Sequence, residues 1–152
     1  MNSPNQSLTF AKALQVAQQR LRDNGHRVTS PRTQVLAMLL VSDCASTQDD
    51  VSKALAKKGR EVDRVTVYRV LDWLVDHKLA HRVSSDARSW QFNALEQVEQ
   101  EHGHFACREC ERIFCLEERE QPVTVQMPDG FRAEESELLV RGRCRDCAAK
   151  AT

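Results

Sequence analysis

Four of the six cysteines fall into two pairs, Cys107-x-x-Cys110 and Cys144-x-x-Cys147. Two intervening residues let both thiolates of a pair reach one ion. Two such pairs complete a tetrahedral four-cysteine set, the donor arrangement of a closed, structural zinc site with no position left for substrate. The 33 residues between Cys110 and Cys144 exceed the spacing of a compact zinc ribbon, so the second pair must return from a strand-rich excursion. A thioredoxin-like redox pair is the competing chemistry, but two such pairs fit it poorly. More donors flank the first pair. On an extended segment His102 and His104 share a face, as do Ile113 and Cys115, with Phe114 and Leu116 opposite. Imidazole with thiolate favours zinc or cobalt, whereas carboxylate with imidazole favours iron or manganese.

These groups sit in a chain of 152 residues, 41% hydrophobic and 29% charged, enough for one ordinary domain or two small ones. Aromatic residues are only 5%, which argues against a large aromatic-lined cofactor cavity. No apolar run approaches the roughly 18 residues of a transmembrane helix. Met1-Asn2-Ser3-Pro4-Asn5-Gln6 lacks the basic region and apolar core of a signal peptide. The expectation is a soluble cytoplasmic protein, in which thiols stay reduced and six cysteines do not form a disulfide framework. The zero net charge conceals an asymmetry: residues 1–83 carry 13 basic and 8 acidic side chains, residues 84–152 carry 9 and 14. Five cysteines lie in the acidic part, so two modules with different work are expected, the basic one being the better candidate for nucleic acid.

The positioning elements are predicted as helices followed by a small hairpin. Thr9 to Asn24 has Leu14, Ala17 and Leu21 at helical spacing, with Gly25 as C-cap. Ser30-Pro31 opens a second helix, Ser30 as N-cap, with Val35, Leu36, Leu39 and Leu40 as its apolar stripe. Thr47-Gln48-Asp49-Asp50 resembles a capping box and starts a third, with Val51 and Leu55 inward and Gly59 at its end. A fourth follows Asp63 as N-cap, and Val67, Val70, Leu71 and Leu74 line its core face. Arg64, Tyr68 and Arg69 point away from that stripe, as suits a helix entering a major groove, although a solvated face has the same pattern. Leu79 to Val83 and Trp90 to Phe92 read as strands around a polar turn at Ser84–Ser89, a winged-helix arrangement.

Val28-Thr29-x-x-Arg32-x-x-Val35-Leu36, Thr66-Val67-Tyr68-Arg69-x-Leu71-x-x-Leu74 and Leu79-x-His81-Arg82-Val83 resemble the ferric uptake regulator family. His102-x-His104-Phe105-x-Cys107-x-x-Cys110 and Gly142-x-Cys144-x-x-Cys147 continue the likeness, which covers roughly residues 9–147 and is greatest to the zinc-uptake-regulator branch. The resemblance implies an α+β protein: a winged-helix DNA-binding domain at 1–84, the wing end and hinge at 85–91, and a small α/β dimerisation and metal-binding domain at 92–152. It implies a homodimeric, metal-responsive repressor of zinc-uptake genes that binds double-stranded operator DNA when zinc-loaded, without membrane or small-molecule substrate. The helix carrying Thr66-Val67-Tyr68-Arg69 becomes the recognition helix, with Arg64, Thr66, Tyr68, Arg69 and Arg32 as candidate DNA contacts. Two zinc ions per subunit are implied, one structural at Cys107, Cys110, Cys144 and Cys147, and one regulatory.

For the regulatory ion the set is His81, His102, His104 and Cys115, with Glu101 and Glu117 in reserve. In the zinc branch a histidine occupies the His81 position, and a ligand just beyond the first cysteine pair, commonly glutamate, falls here on Cys115. Other members place a ligand shortly after the wing's second strand, which falls here near Phe92-Asn93, so that ligand is expected to be absent or replaced. The histidine that iron sensors carry before the third helix falls here on Ala45, beside Cys44. An ion held by His81 and by the second domain's histidines fixes the hinge and so favours the DNA-competent conformer. A second regulatory site found in some members is expected to be missing, since Glu101 and Gly103 flank the pair and no histidine follows His104. The family's dimerisation helix falls between about Glu118 and Met127, where Pro122, Pro128 and the Val123-Thr124-Val125 run oppose a helix. Leu138–Arg141 and Phe131–Glu134 read as further strands. Cys44, His26 and His77 show no constellation; the histidines are expected in solvent. The alternative within the family is an iron- or peroxide-responsive regulator. A thiol or metal enzyme is the distant one, since no open metal position with an acid or base in reach is evident.

Overall fold

The computed structural model describes residues 8–83, 89–95, 103–116, 125–134, 136 and 138–150. Helix α1, Phe10–Asp23, starts at Thr9, whose hydroxyl accepts from the Lys12 N–H, and buries Ala13, Ala17 and Leu21. Helix α2, Ser30–Val41, buries Thr33 and every residue from Val35 to Leu40, so it runs through the middle of the unit. Its N-cap is Thr29, not Ser30; Ser30 lies inside the first turn and its hydroxyl accepts from Gln34. Proline next to it removes an N–H that had no helical partner, so the start does not depend on a side-chain cap.

Strand β1, Ser46–Thr47, leads into helix α3, Gln48–Lys57. Thr47 and Asp50 form the reciprocal capping box there: the Asp50 N–H donates to the Thr47 hydroxyl and the Thr47 N–H to the Asp50 carboxylate. Helix α4, Arg64–Asp76, starts at Asp63 and turns Val67, Val70, Leu71 and Leu74 into a core shared with Leu21, Leu36, Leu39 and Leu55. Strands β2, Ala80–Val83, and β3, Gln91–Ala94, pair antiparallel, and β1 joins the far edge of β3 in the order β1-β3-β2. Helices followed by this hairpin are the winged-helix topology. Trp90 lies just outside β3 and is 53% exposed.

The expected junction is displaced. Phe92 and Ala94 belong to the first core, the Leu95 N–H donates to the Leu79 carbonyl, and Arg20 donates to the Leu95 carbonyl. A boundary at residue 92 therefore cuts a strand whose ladder partners, β1 and β2, are both in the first unit.

The second unit is a three-stranded sheet in the order β5-β4-β6, built from β4, His104–Cys107, β5, Ile113–Cys115, and β6, Leu139–Gly142. Strands β4 and β5 are antiparallel, β4 and β6 parallel. Helix α5, Arg145–Lys150, follows β6 at once. Gly142 lets the Phe105 ring lie close there: a Cβ would stand 3.2 Å from it, and the ring would have to shift by a few tenths of an ångström. Phe131–Glu134 forms no strand and is exposed. Most of the expected dimerisation helix lies outside the described residues, and Val125–Met127 is irregular.

The two sheets meet along a seam. Ala45, Val83, Ala106 and Ile113 form a small core between them, the Ala45 N–H donates to the Ile113 carbonyl at 2.7 Å, and the buried Gln91 amide donates to the Glu111 carbonyl at 3.0 Å. Among the described residues no helix is long and apolar enough to cross a membrane.

Leu71 is fully buried at the centre of the helical core. Leu71→Ala is expected to destabilise the first unit by about 2–5 kcal/mol, measured as a lowered denaturation midpoint with an unchanged slope.

Candidate metal centres

Cys107 ends β4, Cys110 sits in the turn that follows, Cys144 precedes α5, and Cys147 lies within its first turn. The parallel register of β4 and β6, which sets Cys107 opposite Gly142, carries the second pair onto the first. All four sulfurs lie within 4.8 Å of one another. Cys110 Sγ and Cys144 Sγ are 3.8 Å apart. A tetrahedron with metal–sulfur bonds of about 2.3 Å has an edge of about 3.8 Å, so the four residues fit one zinc ion.

The electrostatics around the set are uneven. Backbone N–H groups of Cys110 and Cys144 hold the Cys107 thiol down to about 6. Burial opposes ionisation of Cys110, but hydrogen bonding from Arg112 outweighs it and lowers its pKa. Cys147 is pushed up to about 12, by its hydrogen bond with Cys144 and then by burial. Arg112 also donates to Asp146 at 2.8 Å, which pins α5 to the turn. Four thiols this close cannot all ionise without a cation among them.

The second cluster is made of two cross-strand pairs. His81 stands directly opposite Asn93 on β2 and β3, and His104 directly opposite Cys115 on β4 and β5. Directly opposed residues project from the same face of a sheet. The two faces meet at the seam: His81 Nε2 lies 2.9 Å from His104 Nε2, and donor atoms of His81, His104 and Cys115 lie within 4.8 Å of one another. His104 is only 6% exposed. Imidazole nitrogens sharing a zinc at about 2.0 Å stand about 3.3 Å apart, so the pair needs to open only by tenths of an ångström. The Asn93 amide donates to Cys115 Sγ.

Three of the four expected sensor residues are thus brought together; His102, with the reserves Glu101 and Glu117, lies outside the described residues. Asn93 entered the sequence reading only as a place where a ligand is replaced; its position across from His81 is the signal that identifies it. Ala45, where iron sensors carry histidine, is buried in the seam and offers no donor. Burial pushes the neighbouring Cys44 thiol up, against the pull of Arg112.

Of the expected DNA contacts, Arg64, Tyr68 and Arg69 project from α4 as exposed residues, with Arg64 3.5 Å from Asp49. Thr66 is engaged at the start of α4, where its N–H and hydroxyl both donate to Asp63. Arg32 stacks 3.7 Å over the Trp73 ring and donates to the Arg27 carbonyl, so its guanidinium braces α2 against α4. His26 and His77, expected alone in solvent, pack on that same Trp73, and burial followed by the nearby His77 lowers the His26 pKa. Beside α4 an open groove is lined by Asp49, Arg64, Tyr68, Arg82 and Trp90.

Residues 23–138 match the Ferric uptake regulator family. The chain is 28% identical over 138 residues to a ferric uptake regulation protein of Vibrio parahaemolyticus, covering 87% of this chain and 90% of that one. It is 29% identical over 145 residues to the peroxide operon regulator of Bacillus subtilis, covering 92% and 97%. Its fold matches a zinc uptake regulator solved with zinc and DNA, at a TM-score of 0.66 and 20% identity over 96% of this chain and 100% of that one.

Because Cys147 reaches the cluster from α5 while Cys107 reaches it from β4, Cys147→Ser is expected to release the terminal helix. Elemental analysis should find one tightly held metal ion fewer per chain, and amide exchange should quicken in β6 and α5 but not in α2.

Proposed function

The chain belongs to the ferric uptake regulator family, and we propose that it is the zinc-responsive kind: a transcriptional repressor that binds operator DNA as a homodimer when zinc-loaded. One observation carries this reading, the convergence of His81 from the wing sheet with His104 and Cys115 from the second sheet. A ligand shifts a conformational equilibrium only by its differential affinity for the two states. Donors split between two units supply that difference, because the site is complete in only one relative pose.

Zinc is favoured by the donors. Two imidazoles and a thiolate suit it, and the described cluster contains no carboxylate of the kind iron and manganese prefer. Bound there, zinc would supply a positive charge that ties the two sheets; His102 is the proposed fourth ligand, with Glu101 or Glu117 in reserve. A second zinc at Cys107, Cys110, Cys144 and Cys147 is proposed as structural. The iron or peroxide reading keeps the support of the relatives' names, a ferric uptake regulation protein and a peroxide operon regulator.

In the proposed complex α4 lies in the major groove. Arg64 and Arg69 suit guanine edges or phosphate, and Tyr68, 52% exposed, suits a polar or methyl contact. Residues up to Leu95 form the reading head, and the second sheet belongs to the dimerisation and metal-binding unit. The family's role is regulation of transcription, so no catalytic step is assigned, and the cytoplasm is the proposed location.

The test separates the two metals. With the ion of the four-cysteine site retained, removal of exchangeable metal is expected to weaken operator binding at least tenfold, about 1.4 kcal/mol, in a fluorescence anisotropy titration. Zinc should restore binding, and His81→Ala or Cys115→Ala should abolish the response. Equal DNA affinity with and without exchangeable metal would overturn the mechanism; restoration by ferrous iron rather than zinc would establish the iron reading instead. Independently, Arg69→Ala should lose about 1–3 kcal/mol of operator affinity while the unfolding temperature stays within a degree or so of the parent.

A further inference from the structure

Beside the three donors of the seam cluster, His81, His104 and Cys115, stands an amide. Asn93 faces the cluster because it is the cross-strand partner of His81, just as Cys115 is the partner of His104. Its backbone is held firmly, since Phe92 and Ala94 on either side are packed into the helical core. From that fixed point its Nδ2 donates to Cys115 Sγ across the seam. The bond therefore links the wing sheet to the donor atom of the other unit.

We propose that Asn93 sets the metal preference of the seam cluster, donating an N–H to the Cys115 sulfur and keeping a neutral group at the edge of the donor set. The inference rests on the reading of His81, His104 and Cys115 as a regulatory metal site. Its physical basis is twofold. A thiolate that accepts an N–H has its lone pairs oriented and its donor strength moderated, as outer-shell partners do at metal sites generally. A neutral amide also leaves the donor set with imidazole and thiolate character, which suits zinc; a carboxylate at the same place adds an anionic oxygen, which suits manganese and ferrous iron. Asn93 is a positioning residue: its effect passes through Cys115.

The experiment uses the full-length protein with the ion of the four-cysteine site in place and cobalt(II) as the probe of the exchangeable site. Asn93→Leu keeps the size and removes the donor; Asn93→Asp keeps the shape and adds the charge. In Asn93→Leu the sulfur-to-cobalt charge-transfer absorption is expected to move to lower energy, because the thiolate loses its hydrogen bond, with the unfolding temperature unchanged. In Asn93→Asp the preference for zinc over manganese, measured by competition, is expected to fall at least tenfold. The proposal is overturned if folded Asn93→Leu and Asn93→Asp proteins keep the parent absorption and the parent preference. If Asn93→Leu does not fold, the competition on Asn93→Asp decides alone. Absence of any exchangeable cobalt in the parent, with Cys115 intact, would overturn the regulatory-site reading itself and this inference with it.

Discussion

Everything that couples the two halves of this chain depends on the opposed registers of two antiparallel strand pairs. A shift of one residue in either pair would turn its donors to the other face of the sheet. With the observed registers, His81 and His104 meet at 2.9 Å. Among the described residues the apolar part of the seam is small, made of Ala45, Val83, Ala106 and Ile113 with Leu139 packed against them. Such a patch removes little apolar surface from water, so burial alone does not lock the pose. The Ala45–Ile113 and Gln91–Glu111 hydrogen bonds add direction without much area. A modest interface that ends on a cluster of imidazole and thiol is the condition under which one bound cation can change a relative orientation.

The two candidate centres are not independent. His104 opens β4, Cys107 closes it, Cys110 sits in the turn, and Cys115 ends β5. One hairpin thus carries half of the four-cysteine set between two donors of the seam cluster. Closing the four-cysteine set fixes the turn, and Arg112, which donates to Cys110 and Asp146, fixes α5 to it. The same turn presents the Glu111 carbonyl to Gln91 on the wing strand. The four-cysteine set therefore shapes the hairpin on which the other cluster relies, although none of its own four donors comes from the first unit, and any such coupling is reciprocal.

What was legible in the sequence was local. Helical stripes such as Val67, Val70, Leu71 and Leu74, the Thr47–Asp50 capping box, and the paired cysteines all declare themselves within a few residues, because their physics is short-range. What the sequence left illegible is long-range. A boundary at residue 92 falls inside β3, whose partners β1 and β2 come from earlier in the chain, as do Leu79 and Arg20, which hold Leu95 just after it. Nothing near Arg32 in sequence announces the Trp73 ring on which it stacks. Asn93 faces Cys115 across the seam, a contact that only the meeting of the two sheets creates. Helix α5, only six residues long, lacks the two turns needed to show a period.

The reading face is built on a different principle from the seam. Arg64 is paired with Asp49, and Arg82 with Asp72 while lying over Trp90. These pairs are at the surface, where water and salt screen them and they contribute little to stability. Their value is geometric: each aspartate holds an arginine in the groove beside α4. Phosphate oxygens offer the same charge-assisted hydrogen bond with more negative charge behind them, so exchanging one partner for the other costs little. In the proposed function the seam gains from being specific and slow to change partners, since there it distinguishes one ion from another. The α4 face, as the proposed reading face, gains from weak, replaceable pairs, since it exchanges its own anions for those of a duplex. A chain with no net charge can do both because its basic excess lies in the first unit and its acidic excess beyond it.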